Sequence, residues 1–426
     1  MVKITQNIEA AYEPESAYAT APGSNLYHFG LLDTFDPRAV ERSITPVPSL
    51  GQSTDTHHAV GPLGVTVPIK VACNGTGWKQ LLGKAIGGTE ILSDKRANNL
   101  TTSVESLSVI AKETGGDYTL VTGVVPNEVT LTADYSTGGY ITVEANCTGY
   151  YSLDEGDANF DGFHGDDYSG VTWPAAPSAD PLLPTDLAVT VGVAAATNKL
   201  TVDGPSNSSI EIGEQYMRIF DNPTGGLDSS ISSDGILDLT AGAEDTMEEV
   251  KALIHADSNW TCTRGGSDVA SQNLLKGIYS TESSQEIFAA TSMAAFSNLK
   301  TVSLKIANNN TSISGKATGD DASTKWLLNN AISRGKADVT LDLTMTAEDE
   351  TYYDLYHAGT TIPLIRLDFG SHGSIALTNG TITSFSRPLT PGGEIVDSMS
   401  IKFRGAGNYK NFSAYAISSS ISLNPS

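Results

Sequence analysis

Alternation of apolar and polar residues dominates this chain. In VTVPIKVAC, Val65, Val67, Ile69 and Val71 share one parity while Thr66 and Lys70 take the other. In ADVTLDLTMT, Val339, Leu341, Leu343 and Met345 alternate with Thr340, Asp342, Thr344 and Thr346. A period of two places each set on one face of a half-buried strand. Further strands are predicted over Leu26 to Phe35, in VESLSVIAK, in DYTLVTGVVPNEVTLTADY, and after Gly138-Gly139, where Ile141, Val143, Ala145 and Cys147 alternate. The C-terminal part repeats this with VSLKIANNN, IPLIRLDFG and SIALTNGTITSF, followed by Ile395, Met399, Ile401 and Phe403 after Gly392-Gly393.

Helical spacing is confined to short stretches. GWKQLLGKAIGG gathers Trp78, Leu81, Leu82, Ala85 and Ile86 on one face, with Gly87-Gly88 as the stop. In TMEEVKALIHAD, Met247, Val250, Leu253 and Ile254 share a face, and Thr246 with Glu249 predicts a capping box. Thr346 and Asp349, three apart before Tyr352, Tyr353, Leu355 and Tyr356, predict a second capping box and a helix ending near Gly359.

One order of elements occurs twice: strand, long polar loop, strand, short helix, strand, hairpin. The loops are Asp36 to Gly61 and Thr311 to Lys336. Such internal repetition points to assembly before it points to an active site. The expected fold is mainly β. Two tandem units of this order, each with one short helix, span residues 1–150 and 286–426, with residues 151–186 as an acidic linker; the family resemblance described below implies that each is a β-sandwich or barrel-type domain. A small inserted α+β domain covers 187–285 and follows the linker-like DPLLP at Asp180 to Pro184; the tube resemblance described below implies that it projects outward.

A chain of 426 residues has room for two or three such domains. Its net charge of −24 argues against a sequence-reading nucleic-acid partner, which needs clustered Lys and Arg. MVKITQNIEAAYEPES lacks the apolar core of a signal peptide, and no run approaches a membrane span. Cys73, Cys147 and Cys262 are widely spaced, which suits small core residues and neither a zinc site nor a disulfide framework.

One constellation carries metal chemistry. DANFDGFHGDD offers Asp157, Asn159 and Asp161 at alternate positions, then Gly162 at the sharp turn of a calcium loop, with Asp167 as a further oxygen ligand. The twelfth position is Tyr168 where a helix-loop-helix site carries Glu, so a solvated acidic connector competes with calcium binding here. No cofactor is required by any motif. His57-His58 lie in a polar loop, and neither GxSxG nor HExxH occurs, so no catalytic residues and no enzymatic role are expected.

YEPESAYATAP with GLLDTFDPR at the start, and the run from VSLKIANNN to SIKFRG near the end, resemble the major tail tube proteins of long, non-contractile-tailed phages and related archaeal viruses. The resemblance implies a structural virion protein, assembled in the host cytoplasm, whose rings stack into a hollow tail tube for viral DNA. It further implies self-association, with other tail proteins at the tube ends, no membrane, and no sequence-specific DNA binding. Two tube domains per chain favour trimeric rings of pseudo-sixfold symmetry; one composite domain per chain would give hexamers.

A lumen that repels phosphate lets DNA slide. The candidates for its carboxylates are Glu128, Asp134, Glu144 and Asp342, on polar strand faces; ordinary solvated faces are the competing explanation. Two other function classes stay open: a surface or adhesin-like β protein, and a carbohydrate-binding or hydrolytic module using aromatics such as Trp173 and Tyr168.

Overall fold

The computed structural model describes residues 9–15, 18, 26–36, 39–47, 57–86, 94–96, 105–112, 118–154, 172–221, 227–232, 235–316, 326–333, 335, 337–347, 350–389, 391, 393–403, 406–408 and 419–423. The chain is mainly β, with a first unit built from β1 (Glu9–Pro14), β2 (Tyr27–His28), β3 (Leu32–Phe35), β4 (Ala39–Val47), β5 (His57–Ala72), α1 (Gly77–Ile86), β6 (Asp94–Arg96), β7 (Leu107–Lys112), β8 (Tyr118–Asp134), β9 (Thr142–Gly149) and β10 (Tyr151–Asp154).

Strand β8 belongs to two sheets. Its first part lies between β7 and β10, and β7 continues to β1 and β2. Its second part pairs with β9, which continues to β5 and β3. The switch occurs at Gly123, whose φ of +62° only glycine adopts freely, and whose added Cβ would meet the Tyr150 Cβ at 2.6 Å. A bulge between Pro126 and Glu128 completes the bend. Core side chains fill the space between the sheets, and α1 closes it with Trp78, Leu81, Leu82 and Ala85, all buried.

The second unit repeats the pairing orders β1–β7–β8–β10 and β8–β9–β5–β3, though β6 has no counterpart in it among the described residues. It opens with β11 (Ala188–Asp203), whose start pairs with a later strand as β1 pairs with β7. Then come β12 (Ser209–Ile212), β13 (Tyr216–Phe220), β14 (Ile236–Asp238), α2 (Met247–Ala256), β15 (Thr261–Gly265), β16 (Gly277–Ser280) and β17 (Gln285–Ala295), which carry the insert. The unit resumes with β18 (Leu299–Ala307), β19 (Thr311–Lys316), β20 (Trp326–Ser333), β21 (Asp338–Thr346), α3 (Thr351–Ala358), β22 (Ile362–Asp368), β23 (Gly373–Ser386), β24 (Val396–Phe403), β25 (Ala406–Asn408) and β26 (Ser419–Leu423). Strand β23 again spans two sheets, pairing with β22 and β26 over its first part and with β24 over its second. The switch falls at Asn379, φ +54°, with a bulge between Ile382 and Ser384.

The insert hangs from the hairpin that corresponds to β1 and β2. Residues 188–192 pair with β22 in the body, whereas 199–203 pair with β15 and β17. A separate core runs from Leu200 to Ala289, including Trp260 and the α2 residues Met247, Val250 and Ile254. The strands that carry this separate core leave the body after residue 192 and return to it through β17. The insert's capping box forms as expected: Thr246 Oγ1 accepts from the Glu249 N–H at 3.3 Å, and Glu249 Oε2 accepts from the Thr246 N–H at 3.2 Å.

Three expectations are corrected. The two long polar loops contain strands: β4 pairs with the extended start of β5, and β19 with β20, and the two arms meet where Leu63 faces Leu327. Thr346 does not cap α3; it ends β21, its hydroxyl donates to Glu394, and Glu350 takes the cap position. Gly359 does end that helix, in the left-handed conformation. The DPLLP segment is no free linker, because Leu182 is zipped to Cys73 and Ile141 by backbone hydrogen bonds of 3.0 and 2.8 Å.

Candidate functional site: the polar face of the shared sheet

The two units meet edge to edge. Strand β18 pairs antiparallel with β8 from Thr301 opposite Asp134 to Ala307 opposite Glu128, and on its other side with β21. This joins β3–β5–β9–β8 to β18–β21–β24–β23 as one antiparallel sheet in which each group of four occupies the same place in its unit.

The period-two alternation of these strands sorts this sheet into two contrasting faces. On the inner side a row runs Val71, Val143, Leu131, Leu304, Leu341, Ile401, Ile382, every member buried, across seven strands and both units. On the opposite side the corresponding rows are polar. One reads Lys70, Glu144, Thr130, Lys305, Thr340, Lys402, Thr381; its neighbour reads Thr142, Thr132, Ser303, Asp342, Ser400, Ser384. Thr301, Thr344, Ser398 and Ser386 add a third.

All four sequence-predicted carboxylates lie on this polar face. Glu144 and Asp342 are exposed there, whereas Glu128 and Asp134 are half-buried. Asp134 accepts hydrogen bonds from the Ser136 hydroxyl at 2.6 Å and backbone N–H at 2.8 Å, which hold its carboxyl below the ordinary range. Glu128 pairs with Lys305 at 2.7 Å. Of the cations interleaved with these groups, the sequence reading placed Lys70 on the polar face and did not single out Lys305 or Lys402. Lys402 pairs with Asp338 at 3.1 Å and Lys70 with Asp33 at 2.8 Å, the latter raising the lysine. Their spacing at polar strand positions was visible, but which carboxylate each would meet depended on strand order. The face carries Lys70, Lys305 and Lys402 against Asp33, Glu128, Asp134, Glu144, Asp338 and Asp342, so it is acidic on balance, with hydroxyls between the charges.

A second charged cluster is buried and was invisible in the sequence. Glu214, fully buried at the β12–β13 turn of the insert, receives Arg366 from β22, Ser374 Oγ from β23 at 3.0 Å, and Lys276 at 3.3 Å. Arg366 and Lys276 also donate to the Gln272 carbonyl, at 2.8 and 2.6 Å. Burial by itself would raise Glu214, but the two cations outweigh it and hold the carboxyl below its ordinary value. The cluster fixes the insert to the body.

The calcium-loop residues Asp157, Asn159, Asp161 and Asp167 lie outside the described residues. Among the described residues no group of three or more His, Cys, Asp or Glu is placed to hold a metal ion, and no helix is long and apolar enough to cross a membrane. The three cysteines are buried, and burial raises each thiol. No model of a known protein family matches the sequence, and no curated protein matches it.

Proposed function

We propose that this chain is a structural subunit that polymerises into a hollow tube, the tail tube of a long-tailed virus, through which DNA passes without sequence-specific binding. The observation that carries the reading is the continuous sheet formed by two equivalent units joined at β8 and β18, with its acidic, hydroxyl-rich face turned away from the core. A wall of this kind presents carboxylates and hydroxyls to whatever it encloses. Phosphate is repelled by the first and finds no dense cationic patch to settle on. The function is mechanical, and the reading includes no enzymatic step.

Two units per chain favour rings of three chains with pseudo-sixfold symmetry, the hexamer being the alternative. The insert, attached to the sheet opposite the polar face, then projects outward. The β4–β5 and β19–β20 arms are suited to ring-to-ring contacts, since long extensions from a packed body serve interaction more often than stability. Electron microscopy of the concentrated full-length protein tests the reading. Rings or hollow filaments are expected; dispersed monomers, especially ones that bind glycans, would overturn it in favour of an adhesin-like or carbohydrate-binding role.

A further inference from the structure

The two units are equivalent in wiring, yet their helices are covered unequally. Helix α1 is sealed partly by the second unit: it packs against β18 and β26, and the Trp78 ring lies 5.4 Å from that of Phe369, just after β22. Helix α3 holds the same place in its own unit and has no buried residue. Tyr353 and Tyr356 are 42% and 39% exposed, resting on Phe385 at ring distances of 5.7 and 6.2 Å. Leu389 and Ile395, on the loop tied to the start of α3 through Arg387 and Glu350, are exposed as well.

The sheet has the same asymmetry. Strand β8 accepts β18 along 128–134, but the corresponding stretch of β23, residues 381–386, has no strand partner opposite β24 among the described residues. At the far end of the sheet, β3 holds the place of β18 and pairs only with β5 among the described residues. The described residues thus contain one complete junction, and the two halves of a second one at opposite ends of the sheet.

The geometry points to α3 and the free margin of β23 as the seat for a second copy of this chain. That copy enters with the β3 margin of its first unit, and its β10, the counterpart of β26, covers α3 as β26 covers α1. The inference rests on the tube reading and specifies its contact. The internal β8–β18 junction is the template, and the exposed tyrosines beside β23 are the aromatic anchors that such a contact buries. An unpaired strand margin is satisfied in the same step.

Hydrogen exchange on the full-length protein, dilute and assembled, tests this together with the variant Tyr353→Ser/Tyr356→Ser. On assembly the amides of 381–386 and 351–358 are expected to slow together by at least about ten-fold. The variant is expected to melt like the parent, since neither tyrosine is buried, and to self-associate on the order of 100-fold more weakly. If the parent forms tubes while these amides exchange as in the monomer, or if the variant assembles at the parent's concentration, α3 is not the seat and the tube reading survives. A parent that stays monomeric at every concentration overturns both.

Discussion

Lys305 on β18 meets Glu128 on β8 at 2.7 Å, an ion pair placed across the junction of the two units. Both side chains are over two-fifths exposed, at 45% and 41%, so solvent screens the pair and its contribution is below about 1 kcal/mol. Cohesion at this junction comes from the backbone ladder and the apolar row beneath it. Lys305→Ala is therefore expected to shift a urea unfolding curve by less than about 1 kcal/mol. A loss of several kcal/mol would mean that the charges, and not the buried row, hold the units together.

Leu304 sits directly under that junction, fully buried between Leu131 and Leu341. Leu304→Ala leaves a cavity shared by both units and is expected to cost about 2–5 kcal/mol. Because one continuous core includes residues of both units, the loss should appear in a single body transition followed by intrinsic fluorescence and circular dichroism alike. Two separated body transitions would show that the units fold independently despite their common sheet.

Glu214 gives the insert a pH-sensitive anchor. Glu214→Gln leaves Arg366 and Lys276 buried without their counter-charge, at an expected cost of about 3–5 kcal/mol near neutral pH. The folded-state pKa of Glu214 lies below its unfolded value. Its stabilisation is therefore present above the ordinary carboxylate pKa of about 4.3 and is lost as pH falls through the lower folded value. Thermal melts across that range should show the gap between parent and Glu214→Gln narrowing with acid. A gap that stays constant would assign the cost of the substitution to shape rather than charge.

The repeat was legible in the sequence because each unit's strands alternate cleanly, as at Val339 to Met345, and because α1 carries a full apolar stripe. Its true length was not. Residues 188–192 begin the second unit, yet more than ninety residues of insert separate them from β18, so their kinship with β1 appears only through the pairing with β22. The α3 cap was misplaced because Thr346 satisfies the capping pattern while its hydroxyl serves Glu394 across strands. The polar-face candidates were found since parity alone assigns a face. Glu214 could not be, because its partners lie far along the chain.

The β19–β20 arm supports a sharper test of stacking. Deleting residues 320–331 removes six of the eight residues of β20 while sparing both hydrophobic cores. The protein is expected to remain folded with a melting temperature close to the parent's, yet to stop growing beyond single rings in sedimentation and microscopy. Filaments of ordinary length from this deletion would move the ring-to-ring contacts elsewhere, with the β4–β5 arm as the next place to cut.

In the tube proposed above, charge on the polar face sets how freely DNA moves past it. Glu144 and Asp342 are its exposed carboxylates among the four candidates, and neither side chain supports the core, so Glu144→Lys with Asp342→Lys should leave folding and assembly intact. The two reversals turn an acidic balance of Lys70, Lys305 and Lys402 against six carboxylates into a cationic one. Each new ammonium then attracts phosphate, and the attraction weakens as rising salt lowers the free energy gained by releasing counterions. Particles carrying the double variant are expected to eject DNA more slowly than the parent, the difference shrinking steadily as ionic strength rises. Equal ejection rates at low salt would show that this face does not line the DNA path, whereas slowing that persisted at high salt would point to an obstruction of the channel and not to its charge.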